Sequence, residues 1–376
     1  MATYSTEGLF SRSVAVGDFN GDGKLDLVVT NQCQDVDCFN GSVTARLGNG
    51  DGTFRHALIS NAGNGAANSV VVGDFNHDGK PDLGVASLCV PFGPFGDFLG
   101  EVHGLIGNGD GTFNNNFIFP TGTPPSPCPF SVAIGDFNLD GNLDLAVTYF
   151  CTGSPCTNGA VGVFLGTGNG TFQNPVFYPY AEGGPFLAAV GDFNGDGNPD
   201  LAVGDISSGT IRVLSGNGDG TFQVGATFAA PPGFSISFVV GDFNGDGKLD
   251  LAGASGNNSM ALLLGNGDRT FQSAITTDVN SGFGNFGPPE FAAADFNGDG
   301  KLDLAVIGST SITVLLGNGH GKFRAVRGSD GVSIFAVAVG DFNNDGKPDL
   351  AVDDGSNVTV FLNVYRGFRH ETHARH

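Results

Sequence analysis

The feature that most constrains the fold of this chain is an acidic string that occurs seven times. It reads Asp-Phe-Asn-x-Asp-Gly-x-x-Asp-Leu, and every copy keeps its three Asp and its Asn. The copies start at Asp18, Asp74, Asp136, Asp192, Asp242, Asp295 and Asp341. A second string follows each copy; it reads Leu-Gly-Asn-Gly-Asp-Gly-Thr-Phe at residues 47–54 and has decayed at residues 362–368. Such self-similarity is typical of repeat architectures, so we expect residues 1–376 to form one array without a second domain.

Each repeat has the pattern of four short strands. In the first repeat, residues 13–17, 26–30 and 43–47 form strands A, B and C, and strand D starts at Phe54, after Asn-Gly and Asp-Gly dipeptides that favour a hairpin turn. Four strands repeated seven times predict an all-β, seven-bladed β-propeller with four antiparallel strands per blade. A solenoid is the alternative, but it requires distinct capping repeats, which this sequence lacks. Because Phe368-Arg-His echoes Phe54-Arg-His, we expect the carboxyl terminus to supply the last outer strand.

The acidic string has the ligand pattern of a calcium loop. With Asp18 as position 1, oxygen-bearing side chains stand at positions 1, 3, 5 and 9, and Gly23 at position 6 allows a sharp turn. Calcium binds hard oxygen ligands, and the main-chain carbonyl at position 7 is one more. An EF-hand also needs Glu at position 12, where this chain has Val29 in a strand. We predict about seven Ca²⁺ sites, one in each blade, with the position-9 Asp binding through both oxygens.

The predicted calcium ligands stand at positions 1, 3, 5, 7 and 9 of the seven copies. They are Asp18, Asn20, Asp22, Lys24, Asp26, Asp74, Asn76, Asp78, Lys80, Asp82, Asp136, Asn138, Asp140, Asn142, Asp144, Asp192, Asn194, Asp196, Asn198, Asp200, Asp242, Asn244, Asp246, Lys248, Asp250, Asp295, Asn297, Asp299, Lys301, Asp303, Asp341, Asn343, Asp345, Lys347 and Asp349.

The charge of the chain favours bound cations. Asp and Glu outnumber Lys and Arg by 38 to 16, which gives a net charge of −22. An Asx-rich β-turn is the alternative for each string, but three unneutralised carboxylates within nine residues repel one another. The same net charge makes nucleic acid an unfavourable partner, and no apolar run has the 18 residues that indicate a membrane span.

These strings resemble FG-GAP/VCBS repeats, which form the propeller of integrin α-chains and occur in many secreted bacterial proteins. The resemblance extends over nearly the whole chain and implies a seven-bladed propeller with calcium between strands A and B of each blade. The Phe-Gly and Gly-Ala-Pro signatures of integrin repeats are replaced by Gly-Asn-Gly-Asp-Gly-Thr-Phe, and no Arg-Gly-Asp occurs. The chain therefore looks more like the bacterial variant, and an integrin-like ligand is not carried over.

The second string and the repeated Phe have structural interpretations. Fourteen of the 34 Phe stand at two repeat positions, those of Phe19 and Phe54, and we expect them to pack between blades. The Asp of the second string, as at Asp51, is a candidate for a second ion site. Because Asn169 and His320 replace it in two copies, a plain turn is the favoured interpretation.

The six Cys stand in the first three repeats. Cys33, Cys89 and Cys151 each lie seven residues after the last Asp of an acidic string, at the end of strand B. Loops B–C and D–A emerge on one face of a blade, so we predict three disulfides. They are Cys33–Cys38, Cys89–Cys128 and Cys151–Cys156. An even count in this arrangement indicates an oxidising compartment, so we expect an extracellular, secreted or cell-surface protein.

The irregular sequence lies on the face opposite the calcium loops, where we expect a protein or glycan ligand to bind. Loops carried by a rigid scaffold commonly hold the binding residues. The candidate aromatic ligand-binding residues there are Phe92, Phe95, Tyr178, Tyr180, Phe283 and Phe286. The alternative is that these rings fold back onto the blades.

No catalytic motif accompanies the scaffold. A Ser nucleophile elbow, a His-Glu-x-x-His and a phosphate loop are absent from the sequence, so we expect no enzyme. The favoured function is a secreted calcium-binding module for adhesion or protein interaction. A carbohydrate-binding lectin is the alternative, although the absence of Trp counts against it. A polysaccharide lyase ranks third, because it requires a cluster of Arg, His, Tyr or Lys at the channel mouth.

Overall fold

The fold is known from a computed structural model. It describes residues 2–34, 40–88, 100–118, 128–151, 159–180, 184–205, 208–231, 237–255, 259–279, 290–308, 311–330 and 335–363. These residues form seven four-stranded antiparallel sheets arranged as the blades of a propeller. Within the described ranges, no helix has the length and apolar character that crossing a membrane requires.

The first four blades follow one another along the chain. Blade 1 contains β2 (Leu9–Gly17), β3 (Asp26–Cys33), β4 (Asn40–Gly48) and β5 (Phe54–Asn64). Blade 2 contains β6 (Ala66–Gly73), β7 (Asp82–Leu88), β8 (Glu101–Gly107) and β9 (Phe113–Ile118). Blade 3 contains β10 (Cys128–Gly135), β11 (Asp144–Cys151), β12 (Gly159–Phe164) and β13 (Val176–Tyr180). Blade 4 contains β14 (Pro185–Gly191), β15 (Asp200–Asp205), β16 (Thr210–Gly216) and β17 (Phe222–Ala229).

The remaining blades continue in the same order. Blade 5 contains β18 (Phe238–Gly241), β19 (Asp250–Ser255), β20 (Ser259–Leu263) and β21 (Ile275–Asp278). Blade 6 contains β22 (Glu290–Ala294), β23 (Asp303–Ile307), β24 (Ser311–Gly317) and β25 (Phe323–Asp330). Blade 7 contains β26 (Ala336–Gly340), β27 (Asp349–Asp353), β28 (Asn357–Phe361) and, from the other end of the chain, β1 (Ala2–Ser5).

The amino-terminal strand closes the ring. β1 pairs antiparallel with β28, with Ala2 opposite Val360 and Ser5 opposite Asn357, and so takes the outer position of blade 7. The prediction that the carboxyl terminus supplies this strand is therefore wrong, and Phe368 lies outside the described residues. The first and last parts of the chain are joined in one sheet, so main-chain hydrogen bonds close the circle.

The first strand of each blade lies innermost. β2, β6, β10, β14, β18, β22 and β26 contact their neighbours around the ring and surround the central channel. Each of these strands runs towards an acidic string, so the seven acidic loops lie together at one end of the ring, which we call the loop face. The starts of the inner strands lie at the opposite end, which we call the mouth face.

The apolar core lies between neighbouring blades. Successive side chains of a strand point to opposite faces of its sheet. In β3, Leu27 and Val29 pack against Ala351 of blade 7, whereas Val28 packs against Leu83 of blade 2. Second strands such as β3 are consequently apolar on both faces, which explains their continuous Leu-Val-Val and Leu-Ala-Val sequences.

The repeated Phe residues connect the blades, as predicted. The Phe at position 2 of an acidic loop makes an edge-to-face contact with the Phe of the second string in the next blade, with centroids 5.4–5.9 Å apart. Such pairs contribute about 0.5–1.5 kcal/mol beyond their burial. The six pairs are Phe19–Phe113, Phe54–Phe342, Phe75–Phe172, Phe137–Phe222, Phe193–Phe271 and Phe243–Phe323.

Candidate functional site

Each acidic loop is a tight turn organised by its first Asp. In blade 1, Asp18 Oδ1 accepts the N–H of Asp22 at 3.0 Å, and Asp18 Oδ2 accepts the N–H of Gly23 at 2.8 Å. Gly23 has a φ of 77°, which a side chain would strain. The corresponding two hydrogen bonds occur in all seven loops. The loops therefore have one geometry, which the string specifies locally.

The Asp at position 9 is buried and joins the loop to its own blade. Asp26 Oδ2 accepts the N–H of Phe19 at 2.8 Å, and Asp26 Oδ1 accepts the N–H of Gly48, at the end of β4, at 2.8 Å. A Cβ on Gly48 would lie 2.2 Å from the carbonyl oxygen of Leu25, so only Gly permits this approach. The same pair of bonds recurs in every blade, with Asn363 donating in blade 7.

The three carboxylates of a loop are close enough to repel one another. Burial raises the pKa of Asp250 to about 6, main-chain hydrogen bonds from Gly265 and Phe243 oppose the rise, and the charges of Asp246 and Asp242 add to it. Asp144 and Asp303 behave in the same way, each with a pKa of about 6. Ionisation of the buried carboxylate is therefore unfavourable, and the neighbouring negative charges make it more so.

Basic side chains lie beside the Asp at position 5 in several loops. Lys24 Nζ is 3.7 Å from Asp22 Oδ2, and Lys347 Nζ is 3.5 Å from Asp345 Oδ2. In blade 4, where position 7 is Asn198, Arg269 of the next blade reaches Asp196 at 3.5 Å. The side chains of these pairs are 28–41% exposed, so water screens each pair and a divalent cation can displace it.

The donor set of each loop suits calcium chemically. Every predicted ligand is an oxygen, and an ionised carboxylate has about four acceptor positions, of which the position-9 Asp uses two for amides. Among the described residues, no group of three or more His, Cys, Asp or Glu is already arranged to hold a metal ion. Two of the five predicted ligands do not belong to these four types of side chain: one is an Asn side chain and the other is a main-chain carbonyl. Calcium binding and the bidentate role of position 9 stay predictions.

The Asp of the second string forms a turn. Asp51 Oδ1 accepts the N–H of Thr53 at 2.9 Å and also its hydroxyl, and these two bonds lower the pKa of Asp51. The same arrangement occurs at Asp110, Asp219 and Asp268, with Asn169 as the equivalent in blade 3. The hydrogen bonds agree with the plain-turn interpretation.

The second string also fastens each acidic loop to the next blade, a contact that the sequence analysis missed. Gly52 N donates to the carbonyl oxygen of Phe342 in blade 7 at 2.9 Å, and Gly111 N donates to that of Phe19 at 3.0 Å. Corresponding bonds join the other blades, and in blade 7 the side chain of Asn363 donates to Phe296. The strict recurrence of the second string was the signal for a role between repeats.

Two of the six Cys belong to the described side chains. Cys33 and Cys128 are disulfide-bonded, and no described cysteine is free. Cys38, Cys89 and Cys156 lie outside the described residues, and the side chain of Cys151 is not described. The pairs Cys33–Cys38, Cys89–Cys128 and Cys151–Cys156 stay predictions.

The predicted aromatic ligand surface is wrong where the structure describes it. Tyr180 is only 1% exposed and packs beneath Arg212, and the hydroxyl of Tyr178 accepts the N–H of Phe222 at 2.8 Å. Both lie on β13, the outer strand of blade 3, where the ring packs against blade 4 instead of facing the channel. The other candidates, Phe92, Phe95, Phe283 and Phe286, lie outside the described residues.

Instead of the predicted aromatic surface, the structure has a cavity at the channel mouth. It has a volume of about 210 Å³, and its lining includes Arg12, Asn68, Phe130, Phe186 and Phe335. These five residues occupy one repeat position, six residues before the first Asp of their acidic loops. Aligning the repeats on those loops would have revealed this position, because Arg and Asn replace Phe there in two blades while the surrounding pattern repeats.

Glu290, in the wall of this cavity, is expected to make the free energy of unfolding depend on pH. Burial raises the pKa of Glu290 to about 8, and a hydrogen bond from Ser237 opposes the rise. A carboxyl with a raised folded pKa adds stability below its unfolded value, and this stability is lost as pH rises through about 8. We expect Glu290→Gln to gain about 1–3 kcal/mol over wild type between pH 5 and 9, allowing for the partial exposure of Glu290 to the cavity.

Urea unfolding of both proteins at pH 5, 7 and 9 measures this difference. The control is Glu7→Gln, which changes an exposed Glu of the same chain. If the free energies of unfolding of wild type and Glu290→Gln change with pH in parallel, the raised pKa of Glu290 is contradicted.

The fold and the loops together define a class of protein, a seven-bladed propeller built from repeats that carry an acidic loop. The FG-GAP-like repeat family matches residues 18–85, 149–203, 192–253, 242–306 and 295–352. These matches include more than half of the chain. The chain therefore belongs to the FG-GAP-like repeat family.

One curated relative is integrin alpha-PS5 of Drosophila melanogaster. It is 33% identical over 151 residues, which cover 36% of this chain and 14% of the relative. The match thus spans a small part of the relative's length and supports an integrin-like propeller.

Solved structures share the fold at low sequence identity. BBS1N in complex with ARL6DN has a TM-score of 0.60 at 12% identity, with coverage of 98% of this chain and 97% of that one. The WD40 domain of Toxoplasma gondii coronin has a TM-score of 0.62 at 14% identity, covering 97% and 85%. The Pseudomonas aeruginosa periplasmic gluconolactonase PpgL has a TM-score of 0.57 at 19% identity, covering 85% and 86%. At these identities the likeness shows the fold alone.

Proposed function

We propose that this chain is a calcium-stabilised interaction module, extracellular or at a cell surface, that binds a protein partner through its mouth face and catalyses no reaction. Its two faces suggest different tasks. The loop face repeats one hydrogen-bonded geometry seven times, as a structural element would. The mouth face bears different residues at equivalent positions.

The observation that carries the binding proposal is this variation at one repeat position. At this position around the channel mouth, three blades have Phe, whereas blade 1 has Arg12 and blade 2 has Asn68, although the strands that follow are similar in sequence. A purely structural ring would use one residue type at such a position, as it does at the Phe of the acidic loops. Residues on a rigid scaffold that differ in this way suit recognition of an asymmetric partner.

Exposed apolar side chains on the same face support a protein partner. Leu9 is 38% exposed and Phe10 60% exposed at the start of β2, and Phe150 is 39% exposed near the end of β11. Phe10 also has a φ of 56°, a conformation that is costly for a bulky residue and that occurs preferentially at functional sites. Aromatic residues are enriched at protein interfaces.

Calcium in the proposed sites would neutralise the loop face. Seven Ca²⁺ ions add fourteen positive charges, which changes the net charge from −22 to −8. The side chains at positions 1, 3, 5 and 9 and the carbonyl at position 7 would hold each ion, and the ion would lower the repulsion among the three carboxylates. Its role in the proposed function is to make the ring rigid.

An extracellular site agrees with the cysteine chemistry and with the integrin relative. Disulfides such as those of Cys33 and Cys128 persist in oxidising compartments. The integrin likeness suggests the cell surface or the extracellular space.

Selection of peptides on the calcium-loaded protein tests the binding function. We expect a displayed library of random twelve-residue peptides to yield ligands that lose at least tenfold in affinity for the variant Phe10→Ser/Phe150→Ser. Leu139→Ser is the matched control, because Leu139 is a 54% exposed apolar residue in the acidic loop of blade 3, on the opposite face. Its affinity for the peptides should be unchanged.

A glycan array probed with the same protein separates the alternatives. Binding of one sugar class on the array, with no enriched peptide, would replace the protein-interaction proposal by a lectin. If the enriched peptides bind Leu139→Ser weakly and Phe10→Ser/Phe150→Ser normally, the binding surface lies on the loop face and the proposal for the mouth face is wrong.

A further inference from the structure

We propose that the cavity at the channel mouth is a carboxylate subsite, in which Arg12 pairs with an acidic side chain presented by the protein partner. The class of partner rests on the proposed function, whereas the carboxylate chemistry follows from the cavity itself. Three features carry the inference: an arginine whose N–H donors have no acceptor among the described residues, a wall of hydroxyls and phenyl rings, and the size of the cavity.

Arg12 offers its guanidinium to the cavity. Its Cζ lies 4.9 Å from the ring centroid of Phe335, and it makes no hydrogen bond or salt bridge with any described residue. Burial lowers the pKa of Arg12, and the charge of Asp353 partly offsets this. A partly desolvated guanidinium whose N–H donors have no acceptor among the described residues can bind a carboxylate in bidentate fashion.

The acidic residues near Arg12 do not occupy this position. Asp353 is fully buried, accepts a hydrogen bond from the hydroxyl of Ser11 and one from Gly355 N, and does not line the cavity. Glu290 does line it, but its carboxyl is hydrogen-bonded to Ser237 and forms no ion pair with Arg12. Among the described lining residues, Arg12 is the one that bears a positive charge.

Hydroxyl groups surround the rest of the cavity. Ser13 Oγ accepts the N–H of Val70 at 3.4 Å, and Ser69 Oγ accepts that of Val132 at 3.3 Å. Each serine thus connects two inner strands through its oxygen and retains its proton as a donor. Hydroxyl donors arranged around one guanidinium are suited to binding a carboxylate, which accepts hydrogen bonds and carries the opposite charge.

The size and the rings favour one side chain over a sugar. The volume of about 210 Å³ is below the roughly 300–1,000 Å³ of sites for drug-sized ligands. The rings of Phe130 and Phe186 lie with their centroids 3.8 Å apart, and Arg12 covers a face of Phe335. The faces of these rings are therefore covered by one another or by Arg12, and they do not offer a flat platform for a pyranose. A slim acidic side chain can pass between the two pairs.

The acidity of the whole chain does not oppose such a ligand. The 21 Asp of the acidic loops lie on the loop face, at the other end of the inner strands. Charges separated by more than the Debye length of about 8 Å at physiological salt are largely screened. The charges at the mouth end, which include those of Asp205, Asp278 and Asp353 as well as that of Arg12, therefore act on a bound ligand more strongly than the Asp of the loop face.

A pair of small probes tests the subsite in the calcium-loaded full chain. The probes are 3-phenylpropionate and its neutral amide, which differ only in the carboxylate. Saturation-transfer NMR titration should show the acid binding at least tenfold more tightly than the amide. Arg12→Gln should lose at least tenfold in affinity for the acid, and Arg12→Lys should be intermediate because it keeps the charge without the planar fork.

The matched control is Lys322→Gln, which removes one exposed positive charge on the loop face; its affinity should equal that of wild type. Equal binding of acid and amide, or normal acid binding by a folded Arg12→Gln, would overturn the subsite. The outcomes also separate the two proposals. Selected peptides that bind while the acid does not would leave only the subsite wrong, and acid binding without any peptide ligand would support the subsite and refute the protein partner.

Discussion

Removal of calcium with EDTA is expected to lower the melting temperature of this protein by an amount on the order of 10 °C. A ligand at ten times its dissociation constant stabilises the folded state by about 1.4 kcal/mol per site. Seven independent sites then contribute roughly 10 kcal/mol. The physical source is the repulsion among the three carboxylates of each loop, which a divalent cation removes.

Differential scanning calorimetry in EDTA, in excess calcium and in excess magnesium measures the effect. Magnesium should restore less of the melting temperature than calcium does, because it demands a smaller octahedral site and gives up its waters reluctantly. An unchanged melting temperature in EDTA would show that hydrogen bonds alone hold the loops, as in an Asx-rich turn.

The second large effect is expected for the variant Asp250→Ala. Its carboxylate accepts the N–H groups of Phe243 and Gly265, both at buried positions, and the substitution leaves these donors without acceptors. An unsatisfied buried polar group costs about 1–3 kcal/mol, so we expect a loss of about 2–5 kcal/mol. Because this loss does not depend on the metal, it should persist in EDTA.

Asp246→Ala, in the same loop, is the matched control. Asp246 is exposed and, among the described residues, its carboxylate accepts one hydrogen bond, from Lys248 N at 3.0 Å, so its removal in EDTA should cost less than about 0.5 kcal/mol. In calcium it should cost more, since a ligand is lost. Urea unfolding of the two variants with and without calcium separates the role of Asp250 as a hydrogen-bond acceptor from the role of Asp246 as a calcium ligand. Equal losses of stability for Asp250→Ala and Asp246→Ala in EDTA would contradict this division.

The two variants also show how far the sequence could predict the candidate site. Positions 1, 3, 5, 7 and 9 were identified as one chemical unit because their spacing is local. The buried bridge from Asp250 to Gly265 was not identified, because the partner stands fifteen residues away, just after a different strand. A carboxylate pattern reveals possible ligands, but it does not reveal which carboxylates also hold the main chain together.

The mouth face was the part least accessible from sequence. Tyr178 and Tyr180 were expected at the channel because aromatic residues in irregular segments favour recognition. They lie instead on β13, an outer strand whose rings pack against blade 4, as the contact between Tyr178 and Phe222 shows. Whether an aromatic side chain faces solvent or the next blade depends on which strand it occupies and on what lies beyond that strand.

By itself, the sequence determined the number of blades, the four strands of each and the geometry of the acidic loops. These features depend on residues within one repeat, so short-range hydrogen bonds and the alternation of apolar residues specify them seven times over. Only the tertiary structure decided that β1 closes the ring, that the second string fastens each loop to the following blade, and that Arg12 and Phe335 meet at the channel mouth. Those contacts join residues from different repeats, and Arg12 and Phe335 come from opposite ends of the chain, so they exist only once the blades have assembled into a circle.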